Sequence, residues 1–335
     1  MGLTSYKIDL EQELEFSKKL GEGAFGIVYL AKFRGETVAV KQLLSTAVDE
    51  DSVARFKFEI LLLTRLHHPN ITQILGAAWT APHLAIVLEY AENGDLSCYL
   101  KKHMEKCNWR NGRLKFLKNI AHGMRYLHNR DPPVMHRDLK TENCLITSWL
   151  GLKLSDFGES REKIKNNELE NLTQVGTPFF VAPEVFRGDF YTESCDVFSF
   201  ALVLGCLGIA DGSVIKLFSS DMRMGRQLSV SDKQKINPNH IAMGHQTGWR
   251  ADLGDLDWPQ KMKKLVTDAW KDDPKVRPGF NEICEELEKW SFADFGEEGR
   301  EQEASGKLTV VSVNGQRRRS TDQREGGETR GVEEV

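Results

Sequence analysis

The sequence predicts an α+β chain in two unequal parts, a small β-rich region with one helix and then a larger region in which helices dominate. Three observations predict it. Strand-type apolar runs crowd residues 16 to about 90, a single helical periodicity interrupts them, and helix-type spacing recurs through most of the chain beyond.

Residues 1 to 15 read as a short polar lead. FSKKLGEG, FGIVYLAKF and ETVAVKQLL then read as strands, because β-branched and aromatic residues suit a pleated surface. VARFKFEILLLTRL has helical spacing, and His68, Pro69 and Asn70 stop it. ITQILGAAW and LAIVLEY complete the β-rich part, and ENGD at 92 to 95 punctuates the chain. Beyond it LSCYLKKHM, RLKFLKNIAHGMRYLHN, MKKLVTDAW and FNEICEELEKW are spaced as helices, with short strands expected at NCLIT and LKLSDF. The run VFSFALVLGCLGIA, Val197 to Ala210, is too short to span a bilayer and ends against Asp211, so it predicts a buried core helix. The segment from Asp211 to Leu253 carries no motif and reads as an inserted loop with no role, or else as a substrate or partner surface. From about Phe295 the composition turns to Glu, Gly, Arg, Gln and Ser, and residues 293 to 335 are expected to be a largely disordered tail.

With 335 residues, 40% of them hydrophobic, the chain can bury a sizeable core. A net charge of −4, spread along the sequence, offers no general attraction to nucleic acid or anionic lipid; neither a nucleic-acid partner nor a membrane span is expected. The six cysteines are scattered without a CxxC pair, which fits reduced thiols in a cytoplasmic protein with possible access to the nucleus. No secretory signal opens the chain, and MGLTSY matches a myristoylation site only loosely, with Tyr6 where Ser or Thr is wanted.

GEGAFGIVYL, residues 21 to 30, contains GxGxxG. A dinucleotide fold needs a helix opening at those glycines. Here the glycines lead into IVYLAKF, a strand, and a further strand comes after the turn at RGE, so the spacing describes a hairpin. Gly21, Gly23 and Gly26 can then form a lid whose backbone N–H groups approach phosphates, or a glycine-rich turn that binds nothing.

Later motifs bear on that choice. VAVK, Val38 to Lys41, lies one strand after the loop, and Glu59 sits on the following helix, where its carboxylate could hold the Lys41 ammonium. HRDLKTEN (His136 to Asn143), DFG (Asp156 to Gly158) and APE (Ala182 to Glu184) come next, in that order. This set resembles the protein kinases over residues 16 to 292. The resemblance implies a bilobal kinase fold, with a small β-rich N-lobe of about 16 to 90 and a larger, mainly helical C-lobe of about 91 to 292. It also implies transfer of the γ-phosphoryl of ATP to a protein hydroxyl, with Mg²⁺, or Mn²⁺ in its place.

By resemblance, Asp138 is the catalytic base, Lys41 and its partner Glu59 address the nucleotide phosphates, and Lys140 approaches the γ-phosphate. Asn143 and Asp156 would be the metal ligands. The lid Leu20, Gly21, Glu22, Gly23, Ala24, Phe25 and Gly26 would cover the phosphates. Val28 and Ala39 would lie above adenine and Leu145 below it, although all three are equally explained as core. The backbone of Glu89 and Ala91 would meet the adenine edge, with Leu88 as the gatekeeper. Asp95 could touch ribose or cap the next helix. Glu184 with Arg277, and Asp196 beneath HRD, match structural supports.

HRDLK and GTPFFVAPE point to a serine/threonine acceptor, while HNRDPPVMHRDLK, DFGES, DVFSF and AWKDDPKVRPGFNEI resemble the tyrosine-kinase-like (TKL) group. Phe180, where many members carry Tyr or Trp, and Ala201, where Gly is usual, depart from it. The rival is a pseudokinase scaffold, which would be expected to lack Lys41, Asp138, Asn143 or Asp156; a dual-specificity or tyrosine acceptor is a lesser alternative. Arg137 before Asp138 suggests control by an upstream kinase acting on the activation loop, with Thr173 the first candidate site, Ser160 the second, and Thr177 a structural member of the loop. Ser320 lies directly after Arg317, Arg318 and Arg319 and is a further candidate, although such basic tracts are commonly solvated charge.

Overall fold

The computed structural model describes residues 3–23, 26–43, 50–80, 83–162, 178–213, 216–218, 243–254 and 256–296. Alternating apolar residues build an antiparallel five-stranded sheet from β1 (Leu14–Gly23), β2 (Gly26–Phe33), β3 (Glu36–Gln42), β4 (Ile74–Thr80) and β5 (His83–Glu89), in the order β1-β2-β3-β5-β4. In β3 the period of two is plain: Val38 and Val40 are fully buried on one face, while Ala39 and Lys41 point to the other and are half-buried.

The face that buries Val38 and Val40 is covered by a segment expected to be a polar lead. Residues 3–6 form a turn of 3₁₀ helix and α1 spans Leu10–Glu13, with Asp9 capping it by accepting from the Glu11 and Gln12 N–H groups. Ile8, Leu10 and Leu14 are buried in one cluster with Ala31, Phe33, Val38, Val40, Ala78, Ala85 and Val87. Ile8 N–H donates to the Ala77 carbonyl on the edge strand β4 at 3.1 Å. Gly76 makes room for the approach, since a Cβ there would stand 2.7 Å from Ile8 Cγ2. A lead with only three large apolar residues in the right places reads as polar by composition, yet it closes a core.

Helix α2 (Glu50–Leu63) crosses the other face of the sheet, burying Phe56, Ile60 and Leu63. The lower part is helical: α3 (Leu96–Lys102), α4 (Leu114–His128), α5 (Pro183–Arg187), α6 (Ser194–Gly208), α7 (Gln260–Ala269) and α8 (Phe280–Glu288). Thirteen successive residues of α6, Cys195 to Leu207, are buried, so this helix runs through the core, as an all-round apolar run requires. Short strand pairs, β6 (Val134–Met135) with β9 (Arg161–Glu162) and β7 (Cys144–Ile146) with β8 (Leu152–Leu154), flank the loops between them. Within residues 211–253, Leu217, Phe218, Ala251 and Leu253 are buried in the main core. The ends of that segment are therefore structural, a correction to its reading as an inserted loop. Among the described residues no helix is long and apolar enough to cross a membrane.

Candidate active site

The glycines sit in the β1–β2 hairpin, where Gly21 pairs with Val28, Glu22 with Ile27 and Gly23 with Gly26. No helix opens there, which removes the dinucleotide geometry. Gly21 and Gly23 are exposed with open space around them, Leu20 is exposed, and the Lys19 ammonium contacts the Glu22 carboxylate. Ala24 and Phe25 lie outside the described residues.

Strand β3 sends Lys41 into the cleft, and α2 brings Glu59 to meet it. Lys41 Nζ donates to both Glu59 carboxylate oxygens at 2.9 Å and to Asp156 Oδ1 at 2.8 Å. Glu59 is buried, whereas the Asp156 side chain is 38% exposed, so part of that carboxylate still faces the cleft. Burial opposes the charge of Lys41, but the two carboxylates more than reverse this and hold its ammonium above the ordinary lysine range. Burial opposes the charge of Asp156 too, and Lys41, with Lys140 and His136 farther off, holds its carboxyl below the usual range. Burial pushes the Glu59 carboxyl up; Lys41 pulls against that and Asp156 adds to it.

The HRDLKTEN loop lies between β6 and β7. Lys140 Nζ donates to Asp138 Oδ2 at 2.6 Å. Asn143 Nδ2 donates to the Asp138 carbonyl at 2.8 Å and to Asp138 Oδ2 at 2.9 Å. Both amide protons of Asn143 are thus committed, leaving its carbonyl oxygen as the group a hard cation could take. Phe157 is fully buried with its ring 5.1 Å from that of His136, which anchors the segment carrying Asp156.

Two loop residues adopt the left-handed region that L side chains avoid: Arg137 at φ 67° and Asp156 at φ 61°. Such positions cost about 1–3 kcal/mol and persist only where their surroundings hold them. For Arg137 the holder is Asp196, in the first turn of α6. Its carboxylate accepts from the His136 and Arg137 N–H groups, both at 2.8 Å, and lies 2.9 Å from His128 Nε2. Burial opposes that charge, and the His128 hydrogen bond leads the groups that hold the carboxyl below its usual range. Sequence reasoning named Asp196 but missed His128; the signal was a histidine on the last turn of an otherwise apolar α4 face. Glu184 and Arg277 form a buried bidentate pair at 2.5 and 2.8 Å, and Arg277 also donates to the Lys271 and Ser194 carbonyls.

Val28, Ala39, Leu88 and Leu145 are half-buried, and Ala39 pairs with Leu88 across β3 and β5. The Glu89 N–H donates to the Gln73 carbonyl at 3.0 Å, its side chain pairs with Lys153, and Ala91 is buried. Asp95 caps α3 through the Cys98 N–H at 2.8 Å. Ser160, the second phosphosite candidate, is fully buried with its hydroxyl donating to the His136 carbonyl, so this conformation presents no hydroxyl there. Thr173, Thr177 and Ser320 lie outside the described residues. Phe180 is buried, and its carbonyl accepts from Ser199 Oγ at 2.8 Å.

The family model of protein tyrosine and serine/threonine kinases matches residues 14–287. The chain belongs to that family. It is 39% identical over 207 residues to the serine/threonine-protein kinase CTR1 of Arabidopsis thaliana, covering 61% of this chain and 25% of CTR1. Over 281 residues it is 34% identical to the probable serine/threonine-protein kinase drkC of Dictyostelium discoideum, covering 82% of this chain and 34% of drkC. It is 32% identical over 281 residues to the dual specificity protein kinase shkA of Dictyostelium discoideum, covering 83% of this chain and 50% of shkA. The chain spans between 12% and 50% of the length of the curated relatives it matches.

Proposed function

We propose that the chain is an ATP-dependent serine/threonine protein kinase of the TKL group that phosphorylates protein substrates in the cytoplasm. Its kinase domain on this reading is residues 16–292, with Ile8, Leu10 and Leu14 covering the upper sheet; the expected tail from 293 begins later, because Phe292–Phe295 form a 3₁₀ turn and Phe295 stacks on Trp109 at 4.0 Å. The observation that carries the reading is the Lys41 ammonium held by Glu59 and Asp156 together with Asp138 held by Lys140 and Asn143. A scaffold that had lost catalysis has no reason to keep both arrangements.

The donor set fits a hard divalent cation, since Asp156 presents a partly open carboxylate and Asn143 its carbonyl oxygen. These two residues would hold Mg²⁺. When bound, ATP with its metal supplies the phosphoryl group and the positive charge that its anionic transition state needs. Lys41, kept charged by its two carboxylates, binds phosphate oxygens. Asp138 orients the incoming hydroxyl and takes its proton on a carboxylate oxygen, while Lys140 offers a mobile point charge beside that oxygen. The lid at residues 20–26 and the half-buried Val28, Ala39 and Leu145 would enclose the nucleotide, with Glu89 and Ala91 along the adenine edge and Asp95 near ribose.

Regulation by a phosphate on Thr173, placed by an upstream kinase, belongs to the same reading. The Nε and Nη2 atoms of Arg137 are buried without a hydrogen-bond partner, and its guanidinium lies 5.7 Å from the Tyr191 ring. Burial, and then the neighbouring Arg137, lower the pKa of Arg161, and Glu159 pulls against them. If Thr173→Ala leaves both activity and its response to phosphatase unchanged, this part of the reading fails.

Incubation of the purified chain with ATP, Mg²⁺ and a peptide library tests the whole. The expected result is phosphoserine or phosphothreonine, lost in Lys41→Met and in Asp138→Asn. Phosphotyrosine would favour the second reading, dual specificity, which the similarity to shkA supports. Function undiminished in both variants would favour a scaffold.

A further inference from the structure

Helix α4 ends against the turn after α2, and between them lies a cavity of about 280 Å³ lined by His68, His122, Arg125, Tyr126, Asn129 and Arg130. Ring contacts build its wall. The His68 and Tyr126 rings stack at 4.8 Å, and the Arg130 guanidinium lies 5.5 Å from the Tyr126 ring.

The hydrogen-bond pattern leaves donors in this cavity. His68 Nδ1 accepts from the Asn70 N–H at 3.1 Å, which puts the ring proton on Nε2. Tyr126 Oη accepts from the His67 N–H at 2.9 Å, which leaves its own O–H to donate. Among the described residues, the guanidinium groups of Arg125 and Arg130 have no carboxylate partner. Glu288 is shared between His122 at 3.0 Å and Lys118 at 3.4 Å, and the nearby Lys153 is engaged by Glu89.

Arginines in the last turn of a helix also complement its carbonyl end, which carries about half a negative charge. That accounts for one positive charge and for no cavity. Two arginines, two imidazoles and a phenol around one concavity exceed it. Burial first, and then the neighbouring His122, Arg125 and Lys153, keep the His68 imidazole below its ordinary range.

We propose that this pocket is an anion site that takes a phosphate group, as a phosphate monoester or as inorganic phosphate. Planar guanidinium forks match tetrahedral phosphate oxygens, and the imidazole N–H and phenol O–H supply the remaining bonds. A phosphate there ties the turn after α2, the helix that carries Glu59, to α4, which leads into the catalytic loop. The proposal does not rest on the kinase reading.

The test is the imidazole NMR spectrum of the full chain, ¹⁵N-labelled at histidine and titrated with inorganic phosphate, O-phosphoserine and a short phosphoserine peptide. The expected result is a saturable shift of the His68 signal and a rise in its pKa. Arg125→Gln/Arg130→Gln should weaken the binding at least tenfold, whereas Arg137→Gln leaves it intact. Tighter binding of the phosphopeptide than of free phosphate identifies a protein-borne monoester; equal binding identifies the free anion. No saturable His68 shift, or an equal shift in a double variant whose unliganded melting temperature is unchanged, overturns the proposal. The wild-type titration decides the matter even if the double variant does not fold.

Discussion

Two carboxylate networks lie one above the other, and they are built oppositely. In the cleft, Asp156 shares one ammonium with Glu59 and keeps 38% of its side chain exposed. Below it, Asp196 is fully buried and its two oxygens are spent on two backbone N–H groups and His128, while Glu184 is closed off by a bidentate Arg277. On the proposed reading, a site that takes up phosphate and metal keeps unspent oxygens and charge. A brace that must hold Arg137 in a strained conformation keeps none.

Breaking each network should therefore give different phenotypes. Asp138→Asn should lower turnover by about 10²–10⁴-fold while its melting temperature stays near that of the parent, as read by peptide phosphorylation and calorimetry. Arg277→Leu should do the reverse, costing about 3–5 kcal/mol of stability because Glu184 is left as an unpaired buried charge. Chemical denaturation checks this; a loss below about 1 kcal/mol would show that the pair is no closed brace.

Acid separates the paired carboxylates from an unpaired base. His245 is fully buried with neither ring nitrogen hydrogen-bonded, and burial, aided by Arg250, lowers its pKa to about 3. The folded state therefore resists a proton that the unfolded chain accepts near pH 6.5. Its stabilising contribution is complete above that pH and falls, by up to about 1.4 kcal/mol per pH unit, as pH drops from 6.5 toward 3. Asp196 has its own pKa depressed, so its contribution is lost only below the ordinary carboxylate range. Urea midpoints at pH 6.5 and 4.5 should thus converge in His245→Leu and diverge in the parent. The smallest effect is at the upper sheet, where Ile8→Ala should cost about 2 kcal/mol and leave the KM for ATP unchanged, since Ile8 packs on the face away from Lys41.

The grouping of the candidate site was legible because its side chains sit in short runs whose residue types are dictated locally: VAVK, HRDLKTEN and DFG each place a charged or amide side chain beside apolar residues. Every strand and helix expected from periodicity up to Tyr90 is present, within a few residues at the ends. The parts that were not legible depend on distant partners. His128 becomes a ligand of Asp196 only because α4 and α6 meet, and Ser160 loses its accessibility only because its hydroxyl turns inward to His136. The buried ends of the 211–253 segment likewise show no periodicity of their own.

By itself the sequence determined the α+β division, the hairpin that carries the glycines and the family to which the chain belongs, because strand and helix periods and short polar motifs are local properties. Only the tertiary structure decided that Ile8, Leu10 and Leu14 are core rather than lead, that Lys41 stands between two carboxylates, and that Arg125, Arg130 and His68 share one cavity. Those facts are contacts between segments far apart in the chain, and burial and charge pairing at such contacts are set by packing rather than by neighbours in sequence.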